Sequence, residues 1–389
     1  MTAPGLAHGA RARAAAALAC LACAPGARAA EWSFAPTVSW SADYDSNRYF
    51  LPSPAPGEGQ FLSFNGLLTH SSDVLQLSLA PFLSVQRFSG NSGTDSNNGS
   101  INTSAAWSLE RSTFSLSAGY SDLSTLLTEL ESTGVIKGNS HQEQTSGGAS
   151  WALVESAKTE LSVQLGYADV RYVGANTLGL SSYDYSNASI AEQYTPVERT
   201  TFTLTAFGGD VSSPGGPGTS RNAGVSLSAE RKFSERLTGY ISAGYSDLDY
   251  GIGTDHSAVG EARVSRVGER SQLKLDYQRS VTPNGFGTLV VRDQASFTAS
   301  RDLTPHLSVL TSLVATRDRE RFFVVLYEQQ TYESAQATLD WHSGETSTVD
   351  LTAGYDRTTV QSILPLPSGS RWRAALTYTW SVKPHAVSR

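Results

Sequence analysis

Cysteine, lysine and long apolar runs are all scarce in this chain of 389 residues. The two cysteines are Cys20 and Cys23, so no disulfide framework can form in the rest of the chain. No segment approaches the roughly 18 consecutive apolar residues of a transmembrane helix, which excludes that class of membrane anchor. Hydrophobic residues make up 39% of the chain, counted without its 34 glycines.

The N-terminus has the three parts of a secretory signal. Arg11 and Arg13 precede the apolar run 14–24, and Ala27-Arg28-Ala29 has the small-residue pattern of a cleavage site. We therefore predict a cleaved signal peptide over 1–29 and a single mature domain over 30–389. A lipoprotein signal ending at one of the two cysteines is the alternative, although the preceding residues match a lipobox poorly.

Charge argues against nucleic acid as a partner. Only five of the 29 basic residues are lysine, and the formal net charge is −7. Removal of 1–29 takes away three arginines and no acidic residue, which brings that charge to −10. A strongly acidic mature chain lacks the basic surface that nucleic-acid binding needs.

What the sequence does contain is alternation. In 31–45, apolar and aromatic residues fall on every second position, and the positions between them are mostly small or polar. Side chains of a β-strand point to opposite faces in turn, so this pattern predicts one long strand with an apolar face and a polar face. Strands of soluble sandwiches are shorter, about 5–6 residues.

The alternation recurs along the whole mature chain. Further segments with the same period begin near positions 75, 114, 161, 225, 237, 273, 349 and 372. Segments of about ten alternating residues, separated by turns, are typical of outer-membrane barrels. A membrane protein without spanning helices has to be a closed barrel, because lipid leaves no backbone group unpaired.

Short and long connections alternate between these segments. Eight short and nine long connections, the long ones including 250–256 and 280–288, predict an all-β, antiparallel up-and-down barrel of 18 strands. Sixteen strands is the alternative, because 182–194 and 256–266 alternate weakly. Both termini fall on the short-turn side, which in such barrels is periplasmic. Two of the short turns lie in related segments, 230–242 and 300–312. Both segments contain the pattern R-x-x-S/T-x-x-L.

Aromatic residues mark the two ends of the predicted strands. Tryptophan falls near the short turns and tyrosine near the long loops, as expected for the two membrane–water interfaces. The predicted interface residues are Trp32, Trp107, Trp151, Trp341 and Trp380 on the inner side, and Tyr44, Tyr120, Tyr167, Tyr245 and Tyr355 on the outer side.

The opening pattern W-x-F-x-P-x-V-x-W-x-A-x-Y-D-S-N, from Trp32 to Asn47, resembles the β-barrel porin-2 group of proteobacterial outer-membrane proteins. The turns at 231–237 and 301–307 are similar as well. The resemblance implies an outer-membrane barrel of a Gram-negative bacterium, in some members associated with an exopolysaccharide system. It carries no substrate assignment.

Charged residues on the polar face of the strands would line the lumen. Asp43 and Asp45 end the first strand, and Arg371 and Arg373 begin the last, so barrel closure brings the two pairs face to face. Independent solvated charges are the alternative. Further pore candidates are Glu160, Lys274, Asp276 and Arg292, since charged rings can set ion selectivity. The favoured alternative is that these are scattered charges of the kind that any large wet lumen contains.

The third long loop, 122–141, has leucines at helical spacing with Glu129 and Glu131 beside them. We expect a short helix packed on the barrel rim. The alternative, by resemblance to general porins, is a loop that folds inward and places these two carboxylates at a constriction.

No enzyme site, cofactor site or metal site is predicted. None of the histidines lies within a strand beside an activated nucleophile, and no acidic segment has the full spacing of a Ca²⁺ loop.

The expected function is a porin-like passive channel for small hydrophilic or saccharide solutes. The alternatives are a plugged or narrow barrel that serves an exopolysaccharide system, or an adhesin or receptor that acts through its loops. Expected partners are outer-membrane lipid and lipopolysaccharide, periplasmic chaperones and the barrel-assembly machinery, with polysaccharide as a further candidate.

Overall fold

The structure is a computed structural model of the chain. It describes residues 31–50, 54, 56–89, 95–130, 133, 140–174, 179–214, 218–251, 253–319, 327–362, 368–383 and 385–386. The predicted signal peptide, 1–29, lies outside the described residues and stays a prediction.

Eighteen long antiparallel strands form one closed sheet, in which each strand pairs with its neighbours in sequence. The strands are β1 (Glu31–Asp45), β2 (Gly57–Ser71), β3 (Leu75–Phe88), β4 (Ser96–Ser108), β5 (Ser112–Ser124), β6 (His141–Val154), β7 (Thr159–Val173), β8 (Tyr183–Val197), β9 (Thr200–Ser213), β10 (Gly218–Ser234), β11 (Leu237–Asp249), β12 (Thr254–Val267), β13 (Ser271–Pro283), β14 (Leu289–Thr304), β15 (Leu307–Arg319), β16 (Tyr327–His342), β17 (Ser347–Ser362) and β18 (Gly369–Ser381). The prediction of 18 strands is confirmed. The two weakly alternating segments are β8 and β12.

The sheet closes because β1 pairs with β2 on one side and with β18 on the other. The pairing with β18 runs from Thr37↔Ser381 to Asp45↔Arg373. Beyond β18, a two-residue strand β19 (His385–Ala386) pairs with Phe34 and Ser33 of β1. The end of the chain therefore extends the seam along β1.

The two faces of each strand differ as the alternation predicts. On the outside, large apolar side chains such as Leu165, Ile241 and Leu351 are more than half exposed. On the inside, hydroxyl groups of neighbouring strands form hydrogen-bonded pairs, including Ser39 with Ser63 at 2.6 Å. The barrel thus has an apolar exterior and a polar lumen, the reverse of a soluble β-barrel.

The two related turns share one local irregularity. The ladder shifts between Lys232 and Ser234 in the first turn and between Asp302 and Thr304 in the second. In each, the hydroxyl of the Ser or Thr accepts a hydrogen bond, at 3.2 Å, from the backbone N–H two residues later. The repeated Ser or Thr in the sequence therefore caps a tight turn at a bulge.

Some connections differ in length from those predicted. The connection expected over 250–256 is shorter, since β11 ends at Asp249 and β12 begins at Thr254. The loop expected over 280–288 is also shorter, because β13 and β14 continue as a paired hairpin to Pro283 and Leu289.

The helix in the third long loop, α1 (Thr125–Thr128), is a single turn. In the described part of the chain, no helix is long and apolar enough to cross a membrane.

The buried side chains are concentrated at one end of the barrel, where the long connections lie; we call this end the mouth. Phe50, Phe286, Leu248 and Leu289 are almost fully buried there, together with the polar side chain of Glu129. The compact core of this protein is therefore a set of segments packed within the mouth.

Candidate functional site

Three segments converge inside the mouth, and together we call them the mouth plug. They are residues 125–130 with Thr133, which follow β5, residues 180–183, which lead into β8, and the tip of the β13–β14 hairpin, 280–291. These segments contact one another and the lumen-facing side chains of the surrounding strands.

The hairpin tip enters the mouth because it leaves the barrel wall. β13 pairs with β12 only as far as Gly260↔Arg279, although β12 itself continues to Thr254. Beyond that point the hairpin crosses the mouth to the segment before β8, where the backbone N–H of Ser181 donates to the carbonyl oxygen of Gly285 at 2.9 Å.

Apolar packing holds the hairpin in this place. Leu289 and Val291 of the hairpin are about 1% exposed or less and pack with Val170, Val211 and Leu248. The last three lie on the lumen face of β7, β9 and β11. At about 25 cal/mol per Å² of apolar surface removed from water, such a cluster stabilises the inward position.

Glu129, a predicted constriction residue, is buried within the plug. Its carboxylate accepts hydrogen bonds from the hydroxyl of Tyr172 at 2.5 Å, the side-chain amide of Gln142 at 3.0 Å and the hydroxyl of Thr133 at 2.9 Å. A Cβ added to Gly285 would overlap both Glu129 Oε2 and the Tyr172 hydroxyl. The carboxylate thus joins the segment after β5 to the wall and lies directly against the hairpin tip.

The segment after β5 also spans to the far wall. The side-chain amide of Gln330, on the lumen face of β16, donates to the carbonyl oxygen of Leu130 at 3.1 Å. Leu130 packs with Tyr332 of β16 and with Phe50 of the loop after β1. Of the two alternatives for this loop, the described residues match the one that folds inward. Glu131 lies outside the described residues.

Phe286 lies where all three segments meet. Its side chain is buried and packs with Leu180, Tyr172 and Val360 of β17. These partners come from opposite sides of the barrel, so a single aromatic ring links the two walls.

The predicted charges at the seam lie close together. Arg371 contacts Asp45 at 3.1 Å and Asp356 of β17 at 2.7 Å, and Arg373 contacts Asp356 at 2.8 Å. Arg371, Asp45 and Asp356 are each at most 6% exposed. Asp43 faces the lumen as well, opposite Ala375 in the ladder. The seam therefore contains a buried network of alternating charge, which the sequence analysis described without Asp356.

Arg48, in the loop after β1, adds a further cation beside this network. Its guanidinium lies 3.4 Å from the ring centroid of Phe88 and donates to Gln86. Loss of hydration lowers the pKa of Arg48, and the nearby carboxylates of Asp43 and Asp45 oppose that shift. A buried guanidinium over an aromatic face gains cation–π attraction in return.

The other predicted pore residues face the lumen but form separate pairs. Arg292 makes a two-point contact with Asp318 of β15 at 2.7 and 2.6 Å. Asp276 contacts Arg263 of β12 at 2.8 Å, and Arg263 also contacts Glu261. Lys274 and Glu160 lie on the lumen face of β13 and β7. These residues do not form one ring.

The aromatic residues predicted for the interfaces all lie on the outer face. The five tryptophans lie at the short-turn ends of their strands. The ring of Trp32 packs at a tilt against His70, with ring centroids 4.5 Å apart. The five tyrosines lie in the mouth-side half of their strands, and the hydroxyl of Tyr167 donates to Asp184 at 2.6 Å. Their role at a membrane surface stays a prediction.

The sequence analysis missed the hairpin tip, which it took for a loop. One signal was present, because Leu289, Val290 and Val291 break the alternation with three consecutive apolar residues, as expected of a strand buried on both faces. Tyr172, Gln142 and Gln330 gave no such signal, since their partners lie far away in sequence.

Among the described residues, no group of three or more His, Cys, Asp or Glu side chains is arranged to hold a metal ion.

No protein-family model matches the chain, and no curated protein matches it. Several solved structures are similar in fold. OccK2 (OpdF) of Pseudomonas aeruginosa has 11% sequence identity and a TM-score of 0.50, with 90% of this chain and 98% of that chain covered. OccAB2 of Acinetobacter baumannii has 14% identity and a TM-score of 0.49, with 90% and 98% covered. A BenF-like porin from Pseudomonas fluorescens Pf-5 has 9% identity and a TM-score of 0.48, with 91% and 99% covered. The similarity to OccK2 extends over nearly the whole of both chains and shows a shared closed-barrel fold.

Proposed function

We propose that the protein is a porin-like passive channel of the bacterial outer membrane, with its short turns and both termini in the periplasm. The observation that carries the proposal is the combination of 18 closed strands, an apolar exterior and a polar lumen. Barrels of 16–18 strands are wide enough to enclose an aqueous channel, and only a closed sheet satisfies every backbone group in lipid.

In this proposal the mouth plug sets the size of the solutes that pass. The lumen below the plug is lined by hydroxyl, amide and paired charged groups, so small hydrophilic or saccharide solutes exchange their water shell for wall hydrogen bonds. Solutes have to pass between the plug and the wall at the level of Glu129 and Phe286. Diffusion down a gradient requires no cofactor.

The mouth plug also favours a second candidate, a barrel that stays closed and acts as an accessory or scaffold protein, for example in polysaccharide export. Phe286 and Leu130 connect opposite walls through buried contacts. A plug that never moves would leave the lumen without an outer entrance.

One experiment separates the two candidates. Phe286 is the buried ring that links the plug to both walls, through Leu180 and Tyr172 on one side and Val360 on the other. The conductance of residues 30–389 in a planar bilayer can be compared between wild type and Phe286→Ala, which removes this link. Stable conductance steps in wild type that become larger in the variant support a channel limited by the plug.

Leu165→Ala, which removes an apolar side chain from the outer face of β7, is the control and should conduct as wild type. A wild-type protein that folds and inserts but shows no conductance would contradict the channel and favour the closed barrel.

A further inference from the structure

Three arginines surround one carboxylate on the outer face of the barrel, next to the mouth. The Nη1 atom of Arg279 on β13 lies 3.3 Å from Asp293 Oδ1, and the Nη2 atom of Arg319 on β15 lies 3.1 Å from Asp293 Oδ2. Arg317 is the direct partner of Asp293 in the β14–β15 ladder, so it lies on the same face. We call these four residues the arginine patch.

The arginine patch faces away from the lumen. Along β13 and β15, its arginines lie an even number of positions from Leu275 and Leu313, and therefore on the same face of the sheet. Leu275 and Leu313 are 52% and 44% exposed on the apolar exterior. The hydroxyl of Tyr277, at the end of that apolar stripe, donates to Asp293 at 2.9 Å. The patch therefore lies where the apolar exterior ends and the mouth begins, which is headgroup level for a barrel in a membrane.

The positive charges of the patch are held in fixed positions. Arg279 also donates to the carbonyl oxygen of Ala258, at the point where the hairpin leaves the wall. Arg317 donates to Gln329 Oε1 at 2.5 Å. A guanidinium that is already oriented loses less side-chain entropy when it binds an anion.

The patch has an excess of positive charge that Arg171 and Arg221 on the outer face lack. Two of its guanidinium groups share the carboxylate of Asp293 and the third, that of Arg317, contacts Gln329, whereas Arg221 pairs with Asp210 and Arg171 pairs with Asp169, each at 2.7 Å. Glu333 of β16 lies on the same face and is itself opposite Arg357 of β17 in the ladder. The local excess of positive charge therefore remains, and at headgroup level it is complementary to an anion.

We propose that the arginine patch binds the phosphate of an outer-leaflet glycolipid. Guanidinium groups form paired, charge-assisted hydrogen bonds with phosphate oxygens, which a lysine cannot reproduce. Arg317 and Arg319 supply the bonds to the phosphate, while Asp293 orients the patch and Tyr277 borders the acyl chains. The inference rests on the proposed outer-membrane location, and it goes beyond it by assigning a lipid site.

The test uses the full-length mature protein in phosphatidylcholine vesicles that contain either bisphosphorylated lipid A or the same lipid without its phosphates. After detergent extraction, native mass spectrometry counts the lipid retained on each barrel. Wild type should retain the phosphorylated form, and Arg317→Gln/Arg319→Gln should retain it about tenfold less or weaker still, because hydrogen bonds to charged groups are lost. The variant Arg317→Lys/Arg319→Lys keeps the charge without the paired geometry and should fall between the two.

Arg221→Gln is the matched control, since it removes one outward arginine with its own carboxylate partner, and its lipid retention should equal that of wild type. Equal retention of both lipids by wild type, or unchanged retention by the double Gln variant, would overturn the proposal. Displacement of lipid A by millimolar inorganic phosphate would show that free phosphate occupies the patch, which also overturns it. Conductance of the same samples tests the channel separately, so a barrel that conducts but shows no lipid preference refutes this inference alone.

Discussion

The guanidinium of Arg371 on the last long strand lies 3.1 Å from the carboxylate of Asp45 on the first. The two residues are 326 positions apart in sequence, and both are almost fully buried. Because Arg371 also contacts Asp356, one side chain joins β1, β17 and β18 at the mouth.

Replacement of this side chain should weaken the closed barrel. Arg371→Gln leaves Asp45 and Asp356 buried without their shared cation, which costs about 3–5 kcal/mol when one partner of a buried pair is removed. Urea unfolding in lipid vesicles measures the loss. Arg357→Gln, on the outer face of the neighbouring strand, serves as the control and should change stability little. Equal effects of the two variants would show that the seam network adds no stability.

The two faces of β7 should respond oppositely to an added charge. Leu165, near the middle of the strand, is 55% exposed on the exterior, whereas Gln164 faces the lumen. Leu165→Arg should lower the free energy of unfolding in vesicles by about 2–4 kcal/mol, the usual cost at the centre of a bilayer. Gln164→Arg should be tolerated. If both variants fold equally well, the apolar exterior does not face lipid.

A side chain at Gly285 should displace the hairpin tip. Gly285→Ala places a methyl group against Glu129 and Tyr172, and overpacking of this kind costs about 1–3 kcal/mol. We expect larger conductance steps, measured in a planar bilayer, because the inward position of the hairpin loses that much stability. Gly344→Ala lies in a turn with no atom within 4 Å of the added methyl, and it should conduct as wild type. A conductance that falls instead would mean that the plug tightens.

The pair of carboxylates around Arg263 should influence ion selectivity. Arg263→Gln leaves Glu261 and Asp276 facing the lumen without their cation. Negative lumen charges favour cations, so the reversal potential across a KCl gradient should shift toward cation preference. Arg231→Gln, on the outer face of β10, removes the same charge and should leave the reversal potential unchanged.

The wall of the barrel could be predicted from the sequence, because period-two alternation is a local property. Each strand shows which residues face outward, and closure then requires β1 to lie beside β18, so that Asp45 and Arg371 share a face. The content of the mouth could not be predicted in this way. The burial of Glu129 depends on Tyr172 and Gln142 of other strands, and the inward path of the hairpin depends on packing against β7, β9 and β11.

The Val281–Val291 region shows why alternation fails there. A strand segment that leaves the wall packs on both faces, so its sequence no longer distinguishes lipid from lumen. Single-sequence analysis then interprets the segment as a loop, although β13 and β14 remain paired through it.

The ladder between β1 and β18 also determines the order in which the protein can fold. Every other long strand pairs with its immediate neighbours in the chain, so those hairpins can form early and with little loss of loop entropy. The β1–β18 ladder requires both ends of the described chain, and until it forms the sheet has two open edges that can pair with a second molecule. Closure of this seam is therefore the step that commits the chain to a monomeric barrel rather than to an intermolecular sheet.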